Sequence, residues 1–400
     1  MKNIKLLIAV IALTISLNSI SQPFTALNSG TTESLGTIHF TDDNTGYILG
    51  LNGTIKKTTD GGTTWKSLIS GTTKDISDIL FRNKDTGYCS ARGGVILKTT
   101  NGGKTWSKLN SGVYTDLSRI AFTSKAVFIT GYSGVLLRSL DEGATWTKLN
   151  STASTYLYGA KFLNDSVGFI SGLGVLLKTV DGGNTWNGLS CPTTTHLFSI
   201  HIMDKLNILI VGGSIPNNEG HIVTTADGGK NWKLTKFKNT FFGTIQFIDK
   251  TTGYISVGDT KANTGTIYKT LDGGKTWKLQ KSSSKRLFGA AFPSKNVGYF
   301  SGLNGALLKT TINSTDINEV KSKKSIALEI YPNPTSDILN LEIKNGNTDD
   351  ATITILDING RKVKTQKFEN IIDISNLAKG TYLINVTSGT DSVTKRIIKK

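Results

Sequence analysis

Short runs of alternating apolar and polar residues, separated by glycine-rich turns, fill the chain from about residue 24 to residue 311. One such unit, Asp75 to Tyr114, contains four of these runs: DISDILF, TGYCSARGG, VILKTTNGG and KTWSKLNSG. Alternation over four to eight residues between glycine turns is typical of β-strands. The pattern therefore predicts four short strands per unit.

This unit repeats. Six copies of a motif of the form DGGTTW carry all six tryptophans, at spacings of 41, 40, 40, 46 and 45 residues. A four-stranded unit of this length cannot bury both of its faces alone, whereas units packed around a central axis can. The repeat therefore predicts a β-propeller.

The number of blades follows from the two ends of the repeat. A seventh unit, Lys285 to Thr311, has three predicted strands and lacks the motif. The missing strand is found at the other end, because FTALNSGTTESL (Phe24 to Leu35) aligns with WSKLNSGVYTDL (Trp106 to Leu117). We expect Phe24 to take the place of the tryptophan and its strand to close a seven-bladed ring without exposed sheet edges.

The motif is predicted to shape the hairpin between the third and fourth strands. Its aspartate can accept backbone hydrogen bonds, and its second glycine can adopt positive φ. Asn101 replaces the aspartate in one copy, which preserves the acceptor but would abolish acid–base chemistry. We therefore assign a structural role to these twelve residues: Asp60, Trp65, Asn101, Trp106, Asp141, Trp146, Asp181, Trp186, Asp227, Trp232, Asp272 and Trp277.

The rest of the chain has a different organisation. Residues 1–21 are predicted to be a signal peptide, with Lys2 and Lys5 before an apolar stretch too short for a membrane anchor. Residues 312–327 form a polar linker, and 328–400 show seven short alternating runs that predict a small Ig-like β-sandwich. The predicted fold class is all-β, with the propeller in residues 22–311.

Composition adds two points. The formal charge of +17 suggests nucleic acid, but the chain has no nucleic-acid motif. Basic residues instead recur three positions before the motif aspartate, and we interpret them as a solvated strand face: Lys57, Lys98, Arg138, Lys178 and Lys269. Cys89 and Cys191 lie in non-adjacent repeats and are expected to be separate thiols.

A ligand site is expected on the face that carries the loops between the second and third strands. The first strand begins with aromatic residues in blades four to seven, which suit sugar rings or apolar peptide side chains, although they could equally fill gaps between blades. The candidate binding residues are Tyr156, Tyr158, His196, Phe198, Phe241, Phe242, Arg286, Phe288, Arg92 and Arg119.

A catalytic alternative rests on two carboxylates. Glu219 and Asp259 lie in the long loops of neighbouring blades and could pair for glycoside hydrolysis, although solvated loop charges are the simpler interpretation. The four histidines lack metal-ligand spacing, and no nucleophile or nucleotide motif is present. The sequence predicts no catalytic residue, no metal and no cofactor.

The motif has a family resemblance. TTDGGTTW and KTLDGGKTW resemble the Asp-box of bacterial neuraminidase repeats, and the whole unit is similar to the photosystem II assembly factor family of seven-bladed propellers. The resemblance covers residues 24 to 311. Those relatives bind a membrane protein through an arginine patch, whereas the seven arginines here are scattered. Sialidases are similar only in the Asp-box: they need an arginine triad and a tyrosine–glutamate pair on a six-bladed ring, and their early Arg-Ile-Pro signature is absent here.

The tail also has a resemblance. YPNPTSDILNLEI, LDINGRKV, LAKGTYLINV and the terminal KRIIKK resemble the type A sorting domain of type IX secretion, rather than an ordinary Ig-like binding module. The resemblance implies the type IX machinery as partner and export to the cell surface or medium. Its motif residues are Tyr331, Pro332, Asn333, Pro334, Gly360, Gly380 and Tyr382.

Together these features predict an exported, non-catalytic binding or scaffold propeller without a membrane span in the mature chain. A polysaccharide or a surface protein is the expected ligand. The alternatives are a glycoside hydrolase that uses the same face and an assembly factor for outer-membrane proteins.

Overall fold

The computed structural model describes residues 24–311, 328–343, 350–357, 361–388 and 391–400. The chain divides into two compact units between residues 312 and 313. The predicted signal peptide and linker lie outside the described residues, as does Gly360 of the tail motif.

Residues 24–311 fold into seven four-stranded antiparallel sheets, which confirms the predicted seven-bladed β-propeller. The strands of each blade are given from the first to the fourth. Blade 1 contains β2 (Leu35–Phe40), β3 (Gly46–Gly50), β4 (Ile55–Thr58) and β5 (Lys66–Leu68). Blade 2 contains β6 (Ile76–Phe81), β7 (Gly87–Ala91), β8 (Ile96–Thr99) and β9 (Ser107–Leu109). Blade 3 contains β10 (Leu117–Phe122), β11 (Val127–Gly131), β12 (Leu136–Ser139) and β13 (Thr147–Lys148).

The next three blades repeat this order. Blade 4 contains β14 (Leu157–Phe162), β15 (Gly168–Gly172), β16 (Leu176–Thr179) and β17 (Asn187–Gly188). Blade 5 contains β18 (His196–Ile202), β19 (Ile208–Ser214), β20 (Glu219–Thr225) and β21 (Lys233–Lys238). Blade 6 contains β22 (Phe241–Phe247), β23 (Gly253–Gly258), β24 (Gly265–Thr270) and β25 (Lys278–Ser283). One-turn 3₁₀ helices occupy the loops at Arg92–Gly94, Tyr132–Gly134 and Leu303–Gly305.

Blade 7 is built from both ends of the propeller sequence. It contains β26 (Leu287–Ser294), β27 (Val297–Gly302) and β28 (Leu307–Thr311), and β1 (Phe24–Ala26) pairs antiparallel with β28 as its fourth strand. Phe24 lies opposite Thr310 and its ring is 6.0 Å from that of Phe300. The predicted closure of the ring by the N-terminal strand is confirmed.

The core of the propeller lies between adjacent blades. Every residue of the second strands β3, β7, β11, β15, β19 and β23 is buried, and β27 differs only in its half-buried first residue, because each of these strands is covered by a neighbouring blade on both faces. Tyr47 of blade 1, for example, packs in one cluster with Phe81 and Leu97 of blade 2, and its ring stacks at 4.4 Å on that of Phe81. Blade-to-blade packing therefore supplies the stability that one sheet lacks.

One of these interfaces is incompletely filled. In most blades the residue three positions after the motif tryptophan is a leucine that packs on the tryptophan of the next blade, as Leu68 does on Trp106. Blade 5 has Thr235 at this position, facing Ile222 in the same register. A groove of about 690 Å³, lined in part by Thr235 and Trp277, separates blades 5 and 6 there.

The C-terminal unit is the predicted Ig-like β-sandwich. One sheet has the order β29-β30-β33 and the other the order β32-β31-β34-β35, and a single cluster that includes Leu339, Ile353 and Ile384 forms the core. The strands are β29 (Leu328–Tyr331), β30 (Ile338–Ile343), β31 (Thr352–Asp357), β32 (Lys362–Lys367), β33 (Ile371–Asp373), β34 (Gly380–Ser388) and β35 (Asp391–Lys399).

Candidate functional site

The repeated motif caps its own hairpin. Asp60 Oδ1 accepts hydrogen bonds from Thr58 Oγ1 at 2.8 Å and Thr64 N at 2.9 Å, and Oδ2 accepts one from Thr64 Oγ1 at 2.6 Å. Gly62 has a φ of +82°, in the region that favours glycine, and its N–H donates to Thr58 Oγ1. These bonds hold the pKa of Asp60 at about 2. Both oxygens of the Asp60 carboxylate are thus occupied by hydrogen bonds within the turn.

The other copies use the same geometry. In the second copy, Asn101 Oδ1 accepts from Thr105 N at 3.0 Å, and Asn101 Nδ2 donates to Thr105 Oγ1 at 2.9 Å. Hydrogen bonds also lower the pKa of each remaining motif aspartate: Asp141, Asp181, Asp227 and Asp272. The contacts agree with a structural role for the motif.

The periodic lysines are not a solvated strand face, and that interpretation was wrong. Lys57 Nζ donates to the carbonyl of Gly102, in the motif of the next blade, at 2.7 Å and lies 5.4 Å from the centre of the Tyr47 ring. Tyr47 Oη donates to the same carbonyl at 2.8 Å. The lysine and tyrosine of one blade therefore clasp the hairpin of the next.

This clasp also joins blade 7 to blade 1, where the ring closes. There Tyr299 Oη and Lys309 Nζ donate to Gly61 O at 2.8 and 2.9 Å. Tyr88 and Lys98 likewise both donate to the Glu142 carbonyl. Basic residues in these positions contribute to the net charge, yet they serve contacts between blades.

The two rims of the ring carry different segments, as predicted. On the hairpin face, the Asp-box hairpins contact the turns between first and second strands, for example through Gly61 N and Asn44 O at 3.0 Å. On the loop face, the loops between second and third strands contact the links between blades, for example through Gly134 N and Thr155 O at 2.7 Å. The predicted aromatic residues belong to the loop face.

A continuous row of aromatic rings crosses four blades on this face. The ring centres of Tyr132 and Tyr156 are 3.9 Å apart, those of Tyr156 and Tyr158 are 5.9 Å apart, and Phe198 follows at 5.0 Å from Tyr158. Phe241 is 5.1 Å beyond Phe198. All of these side chains are half-buried. We call the row the aromatic belt: Tyr132, Tyr156, Tyr158, His196, Phe198 and Phe241.

Two polar groups of the belt, on His196 and Tyr158, are paired with each other. His196 Nδ1 and Tyr158 Oη are hydrogen-bonded at 2.9 Å, and the His196 ring lies parallel to that of Phe198. Burial raises the pKa of Tyr158 and lowers the pKa of His196. Tyr132 completes the belt from blade 3; sequence reasoning missed it because it lies in a loop, not at the start of a strand.

The remaining aromatic candidates lie differently. Phe242 is only 5% exposed and packs with its ring 5.3 Å from that of Phe237, so it belongs to the core. Phe288 lines the central channel of the ring, and the Arg286 guanidinium lies 5.7 Å from its ring centre.

The other two predicted arginines have separate acidic partners. Arg92 bridges Asp75 at 3.2 Å and Asp116 at 3.8 Å on the loop of blade 2. Arg119 lies in the central channel, where its Nη1 is 3.4 Å from Asp78 Oδ1.

The two acidic candidates are each held by other groups. Glu219 Oε2 is 2.9 Å from His221 Nε2 and 3.1 Å from Lys236 Nζ, and the bond with His221, then that with Lys236, lowers its pKa. The backbone N–H groups of Ala262 and Lys261 bind Asp259 and lower its pKa too. Both side chains are carboxylates at neutral pH, and neither has the raised pKa of a general acid.

Within the described ranges, no group of three or more His, Cys, Asp or Glu side chains is arranged to hold a metal ion. In the same part of the chain, no helix combines the length and apolar character needed to cross a membrane. Cys89 and Cys191 are both free thiols.

The tail motif fastens the C-terminal strand. Asn333 Nδ2 donates to Arg396 O at 2.9 Å, and its Oδ1 accepts from Ile398 N at 2.9 Å. Thr335 continues this pairing to Ile398 and Lys400. Tyr382 Oη donates to Ala378 O at 2.9 Å in the loop before β34. The motif residues that resemble a sorting signal therefore organise the end of the sandwich, whereas Tyr331 is half exposed.

Fold and motifs together define an exported β-propeller of Asp-box repeats that carries a sorting domain. Residues 17–110, 68–155 and 150–285 match the family model of the Photosynthesis system II assembly factor YCF48, and the chain belongs to this family. Residues 329–400 match the Secretion system C-terminal sorting domain. The sorting domain implies the type IX secretion machinery as partner and a secreted or cell-surface protein. No curated protein matches the chain significantly.

Solved structures share the fold at low sequence identity. One described as YCF48 bound to D1 peptide is 18% identical, with a TM-score of 0.60 over 75% of this chain and 100% of that chain. YCF48 from Cyanidioschyzon merolae is also 18% identical, with a TM-score of 0.57 over 72% and 98%. A streptogramin B lyase structure is 12% identical, with a TM-score of 0.60 over 73% and 98%. These proteins differ in name while sharing the propeller, so the fold alone does not assign an activity.

Proposed function

We propose that this secreted propeller binds a peptide segment of a surface or outer-membrane protein, without catalysis, through the aromatic belt. The belt carries this proposal: six partly exposed rings from four blades form one row on the loop face. Half-buried aromatic rings provide large apolar contact area at little conformational cost. We also propose that residues 1–21 are a signal peptide and that residues 312–327 are a linker between the propeller and the sorting domain.

The geometry of the belt favours a peptide over a polysaccharide. Most neighbouring rings are tilted, by 39° between Tyr132 and Tyr156, 48° between Tyr158 and Phe198, and 58° between Phe198 and Phe241. His196 and Phe198 are the parallel pair. Tilted rings create clefts for apolar side chains, whereas stacking of a sugar requires one broad exposed ring face. The name of one family structure, YCF48 bound to D1 peptide, supports a peptide ligand by analogy alone.

The carboxylates support binding rather than hydrolysis. Glu219 is engaged by His221 and Lys236, and Asp259 caps its own turn. A glycosidase needs one of its two carboxyl groups to be protonated as the acid. The lowered pKa of both side chains speaks against that role.

Binding of the purified chain to two panels, solubilised outer-membrane proteins and polysaccharides, tests this function. A Tyr158→Ala/Phe198→Ala variant removes the centre of the belt, and Leu140→Ala/Val180→Ala, two exposed apolar residues of the hairpin face, is the matched control. We expect retention on a protein partner that the belt variant loses and the control keeps. Retention of a polysaccharide alone, or protein binding unchanged in the belt variant, would refute the proposal.

A further inference from the structure

The central channel contains a set of side chains that the belt does not use. A cavity of about 390 Å³ is lined by the first strands of all seven blades. Successive residues of a strand alternate in direction, so in each first strand the positions one and three residues before an aligned apolar residue share one direction. Those apolar residues are Phe40, Phe81, Phe122, Phe162, Ile202, Phe247 and Phe292. The position directly before them is polar in blades 1, 4, 5 and 6: His39, Lys161, His201 and Gln246.

The charges of the channel do not cancel. Its charged lining residues are Asp78, Arg119 and Lys161. Asp78 is 8% exposed and is fully engaged, since Oδ1 is 3.4 Å from Arg119 Nη1 and Oδ2 accepts from Ile120 N at 2.9 Å. Arg119 also donates to Thr37 Oγ1 and Ser77 O. The Asp78–Arg119 pair has no net charge, so Lys161 gives the channel lining a net charge of one positive unit.

Lys161 has no acceptor of its own. Within residues 24–311, no hydrogen-bond or ion-pair partner of its ammonium is found. The side chain is exposed to the channel. The protein that surrounds the channel lowers the pKa of Lys161, although the charge of Asp78 opposes this shift. Because the ammonium is accessible and has no acceptor from the protein, it is available to bind an anion.

Two histidines occupy the positions aligned with Lys161 in blades 1 and 5, and one of them, His39, lines the cavity together with Lys161. Phe81 N donates to His39 Nε2 at 3.4 Å, so the ring proton of His39 is on Nδ1 and available as a donor. The His39 ring is parallel to Phe81, and the His201 ring stacks on Phe247 at 4.5 Å. Burial and then the charge of Lys161 lower the pKa of both histidines to about 4, so neither is an imidazolium near neutral pH.

We propose that the channel binds an oxyanion, a phosphate or carboxylate group, at Lys161 with His39 as a second donor. An ammonium and an imidazole N–H that line the same cavity match the acceptors of an oxyanion. The cavity exceeds the size of a single phosphate, and Phe198 lines both the channel and the belt, so a larger ligand can extend from the site. The inference does not depend on the belt's ligand, because Lys161 lies outside the belt.

Calorimetric titration of the full chain with inorganic phosphate at low ionic strength tests the site. Lys161→Gln should weaken phosphate binding by about tenfold or more, because it removes the charge-assisted contact. The matched control is Lys205→Gln, an exposed turn residue on the hairpin face, which changes the net charge equally and should retain affinity. Equal weakening in both variants, or absence of phosphate binding to the wild type, would overturn the proposal.

Thermal unfolding provides a second readout. Phosphate should raise the melting temperature of the wild type but not that of Lys161→Gln, and the variant should be at least as stable as the wild type without anion. If Lys161→Gln does not fold, His39→Phe retains a ring and the net charge while removing a donor that lines the cavity, and it should weaken binding severalfold. Unchanged affinity would count against the site. If phenyl phosphate binds more tightly than inorganic phosphate, the oxyanion is part of a larger ligand. If the two bind with equal affinity, the ligand is a free ion.

Discussion

The clasp between neighbouring blades makes a quantitative prediction. Tyr47 Oη and Lys57 Nζ both donate to the buried carbonyl of Gly102, at 2.8 and 2.7 Å. Tyr47→Phe alone leaves the lysine, and Lys57→Met alone leaves the tyrosine, so each should cost about 1 kcal/mol, the net value of one hydrogen bond. The double variant leaves the carbonyl without either donor and adds a desolvation penalty of about 1–2 kcal/mol.

The double variant should therefore cost about 3–4 kcal/mol, with a coupling free energy of about 1–2 kcal/mol between the two sites. Urea unfolding followed by tryptophan fluorescence measures this selectively, since all six tryptophans are in the propeller and none in the tail. Tyr114→Phe, at a tyrosine that is 95% exposed, is the control for loss of a phenol hydroxyl. A double variant that costs only the sum of the single variants would show that the two donors do not share one acceptor, and would refute the reasoning.

Two further predictions concern stability. Thr235→Leu should fill the groove between blades 5 and 6 and raise the free energy of unfolding by about 1–2 kcal/mol. This gain is smaller than that of a fully buried leucine because the groove stays partly open. Urea unfolding measures the gain, and an equal gain from Thr73→Leu on an exposed turn would contradict the prediction. The Asp-box carboxylates have folded-state pKa values of about 2 at Asp60, Asp141, Asp181 and Asp272, below the ordinary 3.8. Their contribution to the free energy of unfolding is thus complete above about pH 4 and is lost as the pH falls toward about 2. Melting temperatures measured across this range should fall less steeply in a variant with asparagine at all four positions, and identical slopes would mean that these pKa values are not lowered.

The periodic part of the fold was predictable from the sequence because each blade repeats the same local signals. The alignment of Phe24 with the motif tryptophan predicted the closing strand, and the structure pairs it with Thr310. The periodic lysines show the limit of such reasoning. Lys57 alternates like a surface residue, but its side chain reaches a carbonyl 45 residues away, and no local pattern encodes that contact.

The two candidate sites depended on departures from the repeat. Aromatic strand starts indicated most of the belt, yet the strand register decided that Phe241 faces outward while Phe242 is buried. The channel was missed, although one signal was available. The aligned positions directly before Phe40, Phe81, Phe122, Phe162, Ile202, Phe247 and Phe292 read His, Leu, Ala, Lys, His, Gln and Ala, and Lys161 is the only charged residue among them. Its meaning required the ring geometry that brings these positions to one axis.

The closing strand also determines how the ring responds to mechanical load. The chain enters β1 at Phe24 and leaves β28 at Thr311, and because Phe24 lies opposite Thr310 these two points are neighbours at one end of the pair. Tension applied to both ends of the propeller sequence therefore peels the two strands apart rung by rung, starting from Phe24, rather than shearing all rungs at once. Because β1 pairs through only three residues, this strand pair separates from its loaded end. Blade 7, which completes the ring, is therefore the first blade to open under tension.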